Sequence, residues 1–138
     1  MSPLSPELLD RLVAAAAAVR AHAYVRASGF AVGAAVLAPD DTIAAGCNVE
    51  NASYGLTICA ERAAVCAAVA RGARSLRAVA VVTDLAEPAR PCGACRQVLA
   101  EFGPDMHVVL VGRGGVVRRT TLDRLLPEPF TFGTFEPG

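Results

Sequence analysis

The order of apolar runs and turn signals predicts a three-layer α/β/α domain, with a five-stranded mixed sheet between helices. Three observations support this fold class. The chain opens with helical periodicity, short runs of small and β-branched residues alternate with further helical segments, and glycine or proline ends most segments. A chain of 138 residues can bury a core of its own, so we expect a single domain over residues 1–138.

The first helix is predicted from Pro6 to Val25. Ser5 is a favoured N-cap residue, Pro6 suits the first helical position, and Glu7 adds negative charge to the first turn. Leucine, valine and alanine then recur at helical spacing. Because glycine favours the end of a helix, Gly29 closes this segment.

The rest of the chain alternates between predicted strands and helices. Strands are predicted at residues 30–38, 42–47, 76–83, 107–111 and 116–120. Helices are predicted at residues 59–71, 92–102 and 121–126, and each is followed by glycine or proline. The first two strands are close enough to form a hairpin. The resulting order, α-β-β-α-β-α-β-β-α, is typical of a layered α/β domain.

Two cysteine clusters form the most informative pattern in the sequence. Cys92 and Cys95 are three residues apart, so at the start of a helix both sulfurs face one point. Cys59 lies where another helix is predicted to begin. Three thiolates leave the fourth position of a tetrahedral zinc ion open, as in catalytic sites. The sequence therefore predicts one zinc ion per chain, bound by Cys59, Cys92 and Cys95, although a structural zinc site or a redox pair is an alternative.

Two charged residues follow the first of these cysteines. The pattern is similar to that of zinc deaminases of nucleobases, in which a glutamate that does not bind the metal carries protons. Glu61 is accordingly predicted to move a proton from water to the substrate, although it could instead cap the helix. Arg62 is predicted to donate a hydrogen bond to a thiolate and, with the helix N-termini, to offset its charge; a solvated surface arginine is the alternative.

The whole set of motifs resembles the small, homotetrameric, three-cysteine cytidine deaminases, over nearly the full chain. Four segments carry the resemblance: residues 30–35 (Phe-Ala-Val-Gly-Ala-Ala), 46–54 (Gly-Cys-Asn-Val-Glu-Asn-Ala-Ser-Tyr), 59–62 (Cys-Ala-Glu-Arg) and 91–98 (Pro-Cys-Gly-Ala-Cys-Arg-Gln-Val). The resemblance implies a hydrolase of pyrimidine salvage that converts cytidine and deoxycytidine to uridine and deoxyuridine and releases ammonia. The chain departs from the family at residues 26–28, where Arg-Ala-Ser replaces the usual Pro-Tyr-Ser.

The resemblance also implies contacts with the nucleoside. Asn48 and Glu50 alternate on an extended stretch and would bind the ribose, with Glu50 on the 3′-hydroxyl. Phe30 would pack on the pyrimidine ring, and the backbone N–H of Ala60 would bind the base carbonyl. Tyr54 is a further expected substrate contact. An ordinary turn asparagine, an exposed glutamate and a core phenylalanine are the alternatives for Asn48, Glu50 and Phe30.

The C-terminal tail is unusually aromatic. Three of the five phenylalanines fall in the last nine residues, at Phe130, Phe132 and Phe135. Such residues would expose apolar area if they were left in solvent. We therefore expect the tail to pack against the core or a neighbouring subunit. The resemblance favours the neighbour, with Phe130 covering the base pocket across a tetramer interface.

Composition limits the other functions. The 13 basic residues, all arginine, balance 13 acidic ones, and only seven residues are aromatic, which argues against nucleic-acid editing. The start lacks a secretory signal and the run 12–19 is too short to span a bilayer, so no membrane partner is expected. Three of the five cysteines are predicted to be thiolate ligands, which favours a reducing compartment, the cytoplasm. The alternative substrates are a modified cytosine nucleoside or a cytosine-bearing antibiotic, and a structural zinc module is an alternative of another class.

Overall fold

The computed structural model describes residues 2–134 and contains the predicted elements in the predicted order. The α-helices are α1 (Pro6–Arg20), α2 (Ala60–Ala70), α3 (Gly93–Phe102) and α4 (Leu122–Leu125). The strands are β1 (Gly33–Leu37), β2 (Ile43–Cys47), β3 (Ala78–Val82), β4 (His107–Val111) and β5 (Val117–Thr121). Short 3₁₀ turns lie at Tyr54–Leu56, Arg113–Gly115 and Phe132–Thr134. Phe135, which belongs to the predicted aromatic tail, lies outside the described residues.

The five strands form one mixed sheet in the order β2-β1-β3-β4-β5. Strands β3 and β4 are parallel, and the other three neighbouring pairs are antiparallel. The prediction of a five-stranded mixed sheet is therefore confirmed.

The sheet separates two apolar layers. Side chains alternate between the faces of a strand, so Ala35 and Leu37 of β1 pack in the layer that contains α1. Ala34 and Val36 pack in the opposite layer, which contains α2 and α3. All five residues of β1 and of β3 are buried, as expected for central strands with helices on both faces.

The first helix ends five residues earlier than predicted. Helix α1 stops at Arg20, and the following chain turns to pair with the segment after β2. The Tyr24 N–H donates to the Asn48 carbonyl at 3.0 Å, and the Glu50 N–H donates to the Tyr24 carbonyl at 2.8 Å. These bonds pair the backbone of Tyr24 with residues 48 and 50 instead of with a further turn of helix. The predicted end of the helix at Val25 was therefore wrong.

The topology brings the ends of several strands to one edge of the sheet. Gly33, the first residue of β1, pairs with Cys47 at the end of β2 and with Val82 at the end of β3. Gly46 lets α2 approach the sheet, because a Cβ there would collide with the backbone N of Ala64. Helices α2 and α3 both begin at this edge. None of the helices in residues 2–134 has the length and apolarity needed to cross a membrane.

Candidate active site

Three cysteine sulfurs meet at this edge of the sheet. Cys59 is the N-cap of α2, Cys92 is the N-cap of α3, and Cys95 lies in the first turn of α3. Their Sγ atoms all lie within 4.8 Å of one another, and the three residues form the one group in residues 2–134 that has metal-site geometry. A tetrahedral zinc ion with Zn–S bonds of about 2.3 Å separates its sulfurs by roughly 3.8 Å. The three residues therefore fit a zinc ion, with its fourth position left for water.

The helix starts create the electrostatics of this cluster. Burial alone would raise the pKa of the Cys92 thiol, but the nearby backbone N–H groups of Cys95 and Ala94 help to hold it below its ordinary value. Burial raises the pKa of Cys95, and the Glu61 carboxylate and Cys59 raise it further. Helix N-termini favour thiolate, and a bound cation would do the same for the buried sulfur.

Glu61 lies beside the sulfurs in a nearly dry environment. It is 6% exposed, in the first turn of α2. Burial is the main cause of a raised pKa, although a backbone hydrogen bond, Cys95 and Arg62 act in the opposite direction. A carboxyl group with a raised pKa exchanges protons more readily near neutral pH, which suits a general acid–base role.

Arg62 reaches the first cysteine, as its spacing in the helix suggests. Its Nη2 donates to the Thr57 carbonyl at 3.1 Å and lies 3.9 Å from the Cys59 Sγ. The contact with Cys59 is the main cause that raises the pKa of Arg62. The guanidinium therefore contributes positive charge beside a group of three potential thiolates.

A cavity of about 210 Å³ opens in front of the cysteines and Glu61. Phe30, 38% exposed, and Asn48, which is buried, form part of its wall. The other lining residues are Val32, Thr57, Cys59, Glu61, Val81, Thr83, Ala89, Arg90 and Cys92. The wall thus combines apolar side chains with a few polar groups, as is usual for a small-molecule site.

Asn48 and Glu50 both bind the loop that follows α1. The Asn48 Oδ1 accepts from the Val32 N–H at 2.9 Å, and its Nδ2 donates to the Phe30 carbonyl at 2.8 Å. The Glu50 carboxylate accepts from the Ala27 N–H and from the Ser28 N–H and hydroxyl, at 2.6–3.1 Å. The Ser28 hydroxyl is the main cause that holds the pKa of Glu50 below its ordinary value.

The three remaining predicted site residues are not among the described residues that line this cavity. Ala60 is buried at the start of α2, between Cys59 and Glu61. Tyr54 is 77% exposed and lines a separate cleft of about 440 Å³ together with Glu50. Phe130 is 59% exposed and lies outside the lining of its own chain's 210 Å³ cavity. Its backbone is bound to Gln97 on α3.

Sequence reasoning missed several residues of the site. Thr83, 3% exposed, follows β3 and lines the cavity, and its hydroxyl has no hydrogen-bond partner among residues 2–134. Its position at the end of a buried strand was the available signal. Of the two cysteines outside the cluster, Cys66 is exposed and Cys47 is partly buried.

A sheet edge at which three cysteine sulfurs cluster beside a cavity lined by a buried carboxylate defines a class: α/β enzymes that use a metal ion to activate water. The family model described as the cytidine and deoxycytidylate deaminase zinc-binding region matches residues 6–111, and the chain belongs to this family.

Relatives of known name agree with this assignment. A cytidine deaminase from Sporosarcina psychrophila is 49% identical over 124 residues, which cover 89% of this chain and 91% of that protein. One from Halalkalibacterium halodurans is 49% identical over 126 residues, with 89% and 96% coverage. The crystal structure of cytidine deaminase from Burkholderia pseudomallei matches with a TM-score of 0.85 at 47% identity, and the match covers 92% of this chain and all of that one.

Proposed function

We propose that this protein hydrolyses cytidine and deoxycytidine to uridine and deoxyuridine, with release of ammonia. The observation that carries the proposal is the cluster of three cysteine sulfurs, two of whose residues, Cys59 and Cys92, line one cavity together with the buried Glu61. Membership of the deaminase family and the names of relatives at 49% identity support the substrate class.

Glu61 is the proton carrier of the proposed reaction. A zinc ion held by Cys59, Cys92 and Cys95 would supply Lewis-acid activation of water. As the water oxygen adds to C4, Glu61 accepts one of its protons and transfers it to the ring nitrogen next to C4. Glu61 then moves the second proton from the new hydroxyl group to the amino group, the C4–N bond breaks, and ammonia leaves as the C4 carbonyl forms. Its burial supports this cycle, because a carboxyl group whose pKa is raised takes up and releases a proton at little cost.

The nucleoside is held by groups around the cavity. Phe30 packs on the pyrimidine ring, and the backbone N–H of Ala60 binds the base carbonyl. The Asn48 amide uses one N–H and one lone pair within the protein, so one donor and one acceptor remain for the ribose. Glu50 binds the 3′-hydroxyl, and its existing bonds to the 27–28 backbone fix the direction of its carboxylate.

The protein acts as a homotetramer in the cytoplasm, and residues 1–138 form a single domain. Free cysteines at all five positions support a reducing compartment. Exposed aromatic side chains at Tyr54, Phe130 and Phe132 support a further subunit over this surface, and we infer that Tyr54 and Phe130 complete a neighbouring nucleoside pocket.

Ammonia release from cytidine, deoxycytidine, cytosine and a cytosine-containing oligonucleotide tests this function, with and without a zinc chelator. We expect turnover of the two nucleosides alone, loss of turnover with the chelator, and recovery when zinc is added. Turnover of the oligonucleotide but of neither nucleoside would contradict the proposal. A panel of 5-substituted cytidines and cytosine-bearing antibiotics would reveal the alternative substrates.

A further inference from the structure

Arg96 joins two distant parts of the chain behind the metal site. It lies on α3, directly after Cys95, and is partly buried. Its Nε donates to the Pro91 carbonyl at 2.8 Å, and its Nη1 donates to the Leu125 carbonyl at 2.9 Å. One guanidinium thus bridges the turn that carries Cys92 and the last residue of α4.

The bond to Pro91 bears directly on Cys92. The Pro91 carbonyl and the Cys92 N–H belong to one planar peptide group. Holding this carbonyl therefore fixes the plane from which the Cys92 side chain projects. Pro91 is itself buried, and Arg96 supplies the partner of its carbonyl group.

The geometry explains why an arginine occupies this position. Residue 96 is four residues after Cys92, and long helical side chains point toward the helix N-terminus. The side chain therefore lies over the first turn of α3. Its rigid fork of donors can bind two carbonyls in different directions, which a lysine ammonium on a flexible stem does less well. Leu125 ends α4 and packs against the core, so the bridge has an anchored second end.

The next residue provides an internal comparison. The Gln97 Nε2 donates to the Phe130 carbonyl at 2.7 Å, and its Oε1 accepts from the Phe130 N–H at 3.3 Å. Gln97 therefore holds the segment at Phe130, whereas Arg96 holds the end of α4, and within residues 2–134 Gln97 makes no hydrogen bond to the Pro91–Cys92 turn. Loss of Gln97 should loosen the tail alone.

We propose that Arg96 is a positioning residue of the metal site, which braces the Cys92 turn against the end of α4. This inference rests on the proposed function, because Cys92 is taken as a zinc ligand. Groups that orient metal ligands typically change metal affinity or activity by about 10- to 100-fold when they are removed. The bridge also makes α4, far along the chain from Cys92, part of the support of the site.

Zinc transfer to a chelator, followed with a metal-sensitive dye, tests the proposal without any use of catalytic activity. Arg96→Met should release zinc roughly 10- to 100-fold faster than the parent protein, and Arg96→Lys should fall between the two. Gln97→Ala and Arg124→Met should release zinc within about twofold of the parent. Arg124→Met removes the same charge from α4 without breaking the bridge.

General loss of stability has its own control. Val109→Ala removes core volume on the α1 side of the sheet, so it should lower Tm but leave zinc release at the parental rate. If Arg96→Met fails to fold, Arg96→Lys takes its place. Hydrogen exchange of the peptide that contains Cys92–Ala94 should be faster in Arg96→Lys than in the parent protein.

Parental release rates in both folded Arg96 variants, or in Arg96→Lys when it alone folds, would overturn the proposal. Equal acceleration in Val109→Ala would do so as well. A parent protein that binds zinc but leaves cytidine intact would refute the proposed function and leave these release rates to decide the role of Arg96. A parent that binds no zinc would refute both.

Discussion

Helices α2 and α3 both begin at a cysteine, yet their first turns carry different functional groups. Each has a cysteine as its N-cap at the same edge of the sheet. The start of α2 adds a buried carboxylate, Glu61, and a guanidinium that approaches Cys59. The start of α3 adds a second cysteine and then Arg96, which binds carbonyls outside the helix. We infer that α2 supplies proton transfer, and that α3 supplies most of the metal binding.

The largest expected effect is loss of a ligand from α3. Cys92→Ala should abolish zinc binding and reduce deamination to background, because two thiolates are too few for a stable site of this kind. Metal analysis of the purified variant measures this. Cys66→Ala, which removes an exposed cysteine from α2, should keep the full zinc content. Full zinc occupancy in Cys92→Ala would show that the metal lies elsewhere.

A smaller effect is expected when the positive charge is removed from the start of α2. Arg62→Met should weaken zinc binding or turnover by roughly 10- to 100-fold, because the Cys59 thiolate loses its charged neighbour. Competition with a chelator measures the zinc affinity. Arg11→Met, on the exposed surface of α1, is the matched control. Parental zinc affinity and turnover in Arg62→Met would show that Arg62 does not support the Cys59 thiolate.

Removal of the tail should affect catalysis and spare the metal. Truncation after Pro129 removes Phe130 and the bonds to Gln97, but it leaves the bridge from Arg96 to Leu125. We expect kcat/KM to fall roughly tenfold or more, since burial of an aromatic side chain contributes about 1.5–3 kcal/mol. Zinc content should stay unchanged.

The same truncation tests whether the tail acts on another subunit. Truncated chains mixed with inactive Glu61→Gln chains should regain some activity once the subunits exchange, because one partner supplies the carboxylate and the other the tail. Mass spectrometry reports the exchange. Mixed oligomers without recovered activity would contradict action between subunits.

Local sequence signals were sufficient to predict most of the fold. Apolar periodicity and turn residues predicted every strand and α-helix of residues 2–134 in the correct order. The error at the end of α1 has a non-local cause, because Tyr24 pairs with residues 48 and 50, more than 20 positions away. No pattern within residues 6–25 reports on that pairing.

The parts of the site that could be predicted are those in which two residues of one helix are brought together by their spacing. The positions of Cys92 and Cys95, and of Cys59 and Arg62, follow from the geometry of a helical turn. The roles of Thr83 and of the Arg96 bridge were missed, because they depend on which strands and helices the tertiary fold brings together. The partner of Arg96 at Leu125 lies 29 residues away, beyond the reach of any local motif.

The division of labour between the two helices is tested most directly by Glu61→Gln, with zinc content and cytidine turnover measured on one sample. The substitution keeps the shape of the side chain and removes its proton-carrying group. Our account predicts full zinc content, retained nucleoside binding and a loss of turnover of about 10²–10⁴-fold. Glu101→Gln, on the exposed side of α3, should behave as the parent. Turnover of Glu61→Gln within a few-fold of the parent, at full zinc content, would contradict the claim that α2 carries the proton.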